Sequence, residues 1–146
     1  MNILIIAGEV SGDLYASHLA KAILSEYPET NIFSMGGEKL KKESHTFLLE
    51  TSHKHRVGSG IKFIDMFSGL KFKSKLKSCI KSTLTTKSIK KVIIIDFQHY
   101  NEFIAHLIPK DIPIYTMITP NFWMIKSEKH AKKITAYSTK IFTIFK

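Results

Sequence analysis

Arginine is nearly absent from this 146-residue chain: Arg56 stands alone among 22 basic residues, and lysine supplies the rest. Arginine's planar fork dominates base-edge and bidentate phosphate recognition, so its scarcity argues against a sequence-reading nucleic-acid binder. No nucleic-acid partner is expected. Cysteine is as scarce. Cys79 is the single one, which excludes an internal disulfide framework and fits a reducing, cytoplasmic setting. Long apolar runs are missing too; none approaches the roughly 20 residues that span a bilayer. The apolar start, Ile3 to Ala7, is interrupted by Glu9 and lacks a basic lead, so it does not read as a secretory signal.

Several catalytic signatures are also wanting. Seven histidines form no ligand set: His53 and His55 are two apart, wrong for a helical pair, and no cysteine or carboxylate group accompanies them. No metal and no cofactor are expected. There is no G-x-S-x-G elbow, no G-x-G-x-x-G fingerprint and no G-x-x-x-x-G-K phosphate loop. Covalent nucleophilic catalysis and the commonest nucleotide cradles thus find no support.

What is present is an ordinary globular composition, 44% hydrophobic and 23% charged, with a formal net charge of +10. Such a length makes one domain, residues 1–146, with no linker or repeat. The charge predicts attraction to something anionic, and with nucleic acid disfavoured by the scarcity of arginine that leaves a phospholipid surface or a phosphorylated substrate. Patterning alternates strand and helix. Strands are expected at Asn2–Ala7, Asn31–Met35, Thr46–Leu49, Lys91–Asp96, Ile112–Ile118 and Lys140–Phe145. A first helix, capped by Ser11 or Asp13, carries Tyr15, Leu19, Ile23 and Tyr27 on one face and ends at Pro28. A short lysine-rich helix follows Gly36-Gly37, residues 58–91 read as helix and loop, and further helices fall at Tyr100–Leu107 and Glu128–Lys133. This is an α/β pattern, a Rossmann-like parallel sheet with helices on both faces.

Ligands of open parallel sheets bind outside the carboxyl ends of the strands. Four segments lie there: Gly8–Asp13, Gly36-Gly37, Asp96–Asn101 and Thr119–Trp123. The Gly8–Asp13 turn feeds a helix N-terminus, which attracts anions, although Glu9 would repel a phosphate unless it met a sugar hydroxyl. A plain strand-to-helix turn is the alternative. Asp96 follows three isoleucines, so it stands at a strand tip beside a low-dielectric wall and could take a proton from an attacking hydroxyl. Its alternative role is capping the next helix; His99 and Asn101, close by, could position a substrate or simply start that helix.

Between Asp65 and Asp96 there is no acidic residue. Lysines occupy positions 71, 73, 75, 77, 81, 87, 90 and 91, beside Phe63, Ile64, Met66, Phe67, Leu70 and Phe72. Large apolar side chains next to a polybasic run describe contact with an anionic membrane surface through those residues, Lys71 and Lys73. A solvated helix face over ordinary core residues is the competing reading.

Taken in order, these segments resemble the lipid-A-disaccharide synthase family of inverting glycosyltransferases. Ala7-Gly8-Glu9-Val10-Ser11-Gly12-Asp13 matches its A-G-E-x-S-G-D signature, and Ser34-Met35-Gly36-Gly37 its second glycine turn. Gly60–Leu70 sits where the family has an apolar membrane-contact segment. Ile95-Asp96 with Asn101 resembles I-D-x-P-D-F-N, and Thr119-Pro120-Asn121-Phe122-Trp123 resembles S-P-x-V-W. The resemblance implies the acceptor-side N-terminal domain of a GT-B fold, with Asp96 on the family's essential aspartate. It implies substrate binding by Gly8, Glu9, Ser11, Gly12, Asp13, Gly36, Gly37, Asn101, Pro120 and Trp123. It also implies transfer of diacylglucosamine from a UDP-linked donor to a diacylglucosamine 1-phosphate acceptor, on the inner face of the inner membrane. Departures occur at Gln98, His99, Tyr100, Ile125 and Lys126. Family members continue past the equivalent of Lys146 into a nucleotide-binding domain, so this chain is expected to be inactive unless a separate C-terminal half completes it. A non-catalytic membrane-bound remnant and an unrelated nucleotide-binding α/β module are the alternatives.

Overall fold

In a computed structural model the chain describes residues 1–52, 63–97, 100–117 and 128–143. Six strands, β1 (Asn2–Ala7), β2 (Asn31–Gly36), β3 (Thr46–Glu50), β4 (Lys91–Ile95), β5 (Ile114–Met117) and β6 (Lys140–Phe142), form one parallel sheet ordered β3-β2-β1-β4-β5-β6. Five helices connect them: α1 (Val10–Glu26), α2 (Glu38–Lys42), α3 (Phe63–Thr86), α4 (Asn101–Ala105) and α5 (Glu128–Tyr137). This is the Rossmann-like arrangement expected from the sequence. Strand order reverses between β1 and β4, placing the switch point at the ends of those two strands.

Alternation along β1 explains why both faces are covered. Ile3, Ile5 and Ala7 pack with Ala16 and Ala20 of α1 and Leu40 of α2; Leu4 and Ile6 pack with Phe72, Leu76 and Ile80 of α3. Such strands read as unbroken apolar runs because neither side meets water. The small alanines let α1 lie close to the sheet.

Boundaries differ from expectation in instructive ways. Neither Ser11 nor Asp13 caps α1: Glu9 holds the N-cap position, and no side chain caps that end. The helix ends at Glu26, with the Tyr27 amide on the Ile23 carbonyl, before Pro28 is reached. Strand β4 stops at Ile95, because Asp96 adopts φ 46° and leaves the extended conformation. Helix α5 runs on to Tyr137, and the end of the last expected strand, residues 144–145, lies outside the described residues, as does Ile118.

Helix α3 settles how the lysine-rich stretch is arranged after residue 69. Phe72, Leu76, Ile80 and Thr83 face inward at helical spacing, while Lys71, Lys73, Lys75, Lys77 and Lys81 are exposed. Phe72 therefore departs from the expected lipid contact: it is 7% exposed and stacks against Phe97 and Tyr100, because that turn of the helix faces the sheet. Leu70 is 59% exposed and remains available.

Candidate functional site

The carboxyl ends of β1 and β4 are bound together before any side chain is considered. Ala7 and Ile95 are paired in register, and the Gly8 amide donates to the Ile95 carbonyl at 3.2 Å. A Cβ on Gly8 would lie 2.1 Å from Phe97 Cδ2 and 2.7 Å from Phe97 Cα, so only glycine lets the two turns cross. Gly12 does the same one helical turn later. Its Cβ position is 3.0 Å from both Asp96 Cβ and the Ile95 carbonyl oxygen. The two glycines of the first turn thus bring the start of α1 onto the end of β4.

That approach creates the central contact. Ser11 Oγ donates a 2.7 Å hydrogen bond to Asp96 Oδ2. Asp96 is 8% exposed, and its backbone sits in the left-handed region, which aspartate tolerates better than most residues. Its amide donates to the Met117 carbonyl, anchoring the turn to β5. Asp96 does not cap α4; Tyr100 holds that N-cap position without a side-chain cap, and the Asp96 carboxylate points to α1 instead. The first amides of α1 carry partial positive charge, so the carboxylate stands at a favourable helix end. Next to Asp96 in the chain, Phe97 has its ring centroid 5.0 Å from that of Tyr100, and Phe72 meets Tyr100 edge to face at 5.5 Å. Burial pushes the Tyr100 phenol above its ordinary range.

Asp13 does something the sequence did not suggest. It is buried, and its carboxylate accepts from the amides of Gly37 at 2.7 Å, Leu40 at 3.1 Å and Lys39 at 3.1 Å. It caps α2 from a distance. The glycines fit around that carboxylate: a Cβ on Gly37 would be 2.7 Å from Asp13 Oδ2 and 2.3 Å from Ser52 Oγ. A Cβ on Gly36 would be 3.2 Å from Asp13 Oδ1. Gly36-Gly37 is therefore close-packed against the first signature.

Thr51 and Ser52, just past β3, belong to the same rim and were missed. Thr51 Oγ1 donates to the Ala7 carbonyl, and its amide donates to the Gly36 carbonyl at 2.8 Å. The strand-end rule, applied to the third strand as to the others, would have found them. Asn101, at the start of α4, is 2% exposed, and neither its amide nitrogen nor its oxygen has a partner among the described residues.

The structure thus gathers Gly8, Glu9, Ser11, Gly12, Asp13, Gly36, Gly37 and Asp96 on one rim. Pro120, Trp123 and His99 lie outside the described residues, and so do the side chains of Phe63, Ile64, Met66 and Phe67. Lys73 Nζ lies 4.5 Å from the centroid of the Phe103 ring. Among the described residues no three His, Cys, Asp or Glu side chains converge as a metal site, and no helix is long and apolar enough to cross a membrane.

The family model described as Lipid-A-disaccharide synthetase matches residues 3–146. The chain is 29% identical to the lipid-A-disaccharide synthase of Synechocystis sp., over 99% of its own length and 38% of the relative. It is 24% identical to that of Geobacter metallireducens, over 98% of this chain and 36% of the relative. To lipid-A-disaccharide synthase 1 of Legionella pneumophila it is 30% identical, over 87% and 33% respectively. The chain spans between a third and two fifths of the length of these curated relatives. By a match that runs from Ile3 to the last residue, it belongs to the lipid-A-disaccharide synthase family.

Proposed function

We propose that this chain is the acceptor-side part of an inverting glycosyltransferase that makes the lipid A disaccharide. A diacylglucosamine 1-phosphate acceptor binds along the rim, and a hydroxyl of its sugar gives its proton to Asp96. The freed oxygen pair bonds to the anomeric carbon of a UDP-linked diacylglucosamine, the bond from that carbon to the phosphate oxygen breaks, and UDP leaves with the electron pair. A base of this kind contributes roughly a hundredfold to ten-thousandfold. The observation that carries the reading is the Asp96 carboxylate, held at the β1–β4 switch point against the signature turn of α1.

Both substrates carry phosphate and acyl chains, which suits a basic surface beside apolar side chains. We assign that surface to Leu70 and the exposed lysines of α3, with the protein held peripherally on an anionic leaflet.

The test grafts this chain in place of the matching part of the Synechocystis synthase, with the intact synthase as control. The graft should release UDP in the presence of both glycolipids, and Asp96→Ala should cut the rate at least about a hundredfold. A graft that folds but transfers nothing, or Asp96→Ala at full rate, overturns the reading.

A further inference from the structure

Resting on the reading of Asp96 as proton acceptor, we propose that Ser11 is a positioning residue that orients the Asp96 carboxylate, and not a substrate ligand. Its hydroxyl donates to Oδ2 at 2.7 Å, and Oδ1 accepts no hydrogen bond from the described residues. The bond holds one oxygen, and the other is the proton acceptor in this proposal. The proton balance is simple. Ser11 keeps its own proton on Oγ throughout, the acceptor's proton arrives on Oδ1, and no relay through the serine is required.

Three features of the fold make this arrangement specific. Asp96 leaves β4 through a left-handed turn, φ 46°, instead of extending the strand. Gly12, the next residue after Ser11, lies so close to the end of β4 that a Cβ there would meet Asp96 Cβ and the Ile95 carbonyl oxygen, both at 3.0 Å. Gly8 holds the same two segments through its amide on the Ile95 carbonyl. The first turn of α1 is thereby pressed onto Asp96, and Ser11 is the residue whose hydroxyl reaches the carboxylate. An alanine at this exposed helical position should fold normally, because it loses one side-chain contact and no packing.

The experiment has two arms. In the grafted enzyme, Ser11→Ala should lower kcat about tenfold to a hundredfold, the loss of one charge-assisted hydrogen bond, with KM for the acceptor within about twofold. Ser11→Thr, which keeps the hydroxyl, should recover most of the rate. A rise in KM at unchanged kcat would make Ser11 a substrate contact and overturn the proposal, as would full activity in Ser11→Ala. In the second arm, crystal structures of this chain as Ser11→Ala and Ser11→Thr read the carboxylate directly. It should leave its position in the first and hold it in the second; a carboxylate unmoved in Ser11→Ala refutes the orienting role. If the unsubstituted graft is inert, the reaction is misassigned, and the crystallographic arm alone decides whether Ser11 orients Asp96.

Discussion

At the scale of single residues, the rim holds one side chain whose placement costs stability. Asn101 is buried with both amide atoms unpartnered among the described residues, and such a group typically costs about 1–3 kcal/mol. Most buried polar groups are satisfied, so an exception beside a proposed site is a candidate for function. Asn101→Leu is close in volume and removes the unpaired amide. It should leave the melting temperature of the chain unchanged or raise it, while lowering transfer in the grafted enzyme if the amide serves the reaction. Thermal unfolding and UDP release, measured on the same substitution, check both halves. A marked fall in melting temperature would mean that the amide is satisfied in solution.

At the scale of elements, the signature Gly8–Asp13 divides its work between two neighbours. Ser11 faces β4, and Asp13 faces the start of α2. Helix α2 is only five residues long and has no side-chain cap of its own, so its exposed amides depend on a carboxylate from α1. Asp13→Ala should lower the unfolding free energy by about 2–4 kcal/mol, from three lost charge-assisted bonds and a buried gap. Asp13→Asn keeps one oxygen for Gly37 and Leu40 but turns an amide group toward Lys39, so its loss should be intermediate. Urea unfolding of the two variants gives the order; equal stability of all three proteins would show that the cap is dispensable.

At the scale of the whole molecule, the net charge of +10 is unevenly spent. Helix α3 buries Phe72, Leu76 and Ile80 and turns its lysines to solvent, so the basic surface is backed by a firm core. The chain should co-sediment with phosphatidylserine-containing vesicles and not with neutral ones. Binding should fade between about 0.05 M and about 0.5 M salt as the screening length shortens. Replacing Lys71, Lys75 and Lys77 by glutamine should weaken it about a hundredfold, at about 1 kcal/mol for each lysine. Binding that ignores salt or these lysines would place the contact elsewhere.

What could be read from the residues alone was whatever rests on local pattern. The Ile-rich runs of β1 and β4 announce strands buried on both faces, their alternation with helices announces a parallel sheet, and the strand-end rule points to the rim on which Ser11 meets Asp96. The signature supplied the family, which the match over residues 3–146 bears out. Partnership across the fold was not legible. Ser11 and Asp96 are separated by 85 positions, and Asp13 and Gly37 by 24, so no local pattern ties a serine to one strand end and an aspartate to another helix. The same holds for Phe72, whose apolar neighbours and flanking lysines suited lipid as well as core until α3 was docked. Chain pattern sets which segments are strands and helices, because backbone geometry has a short period; which side chains meet is decided only when the sheet closes and glycine lets the turns touch.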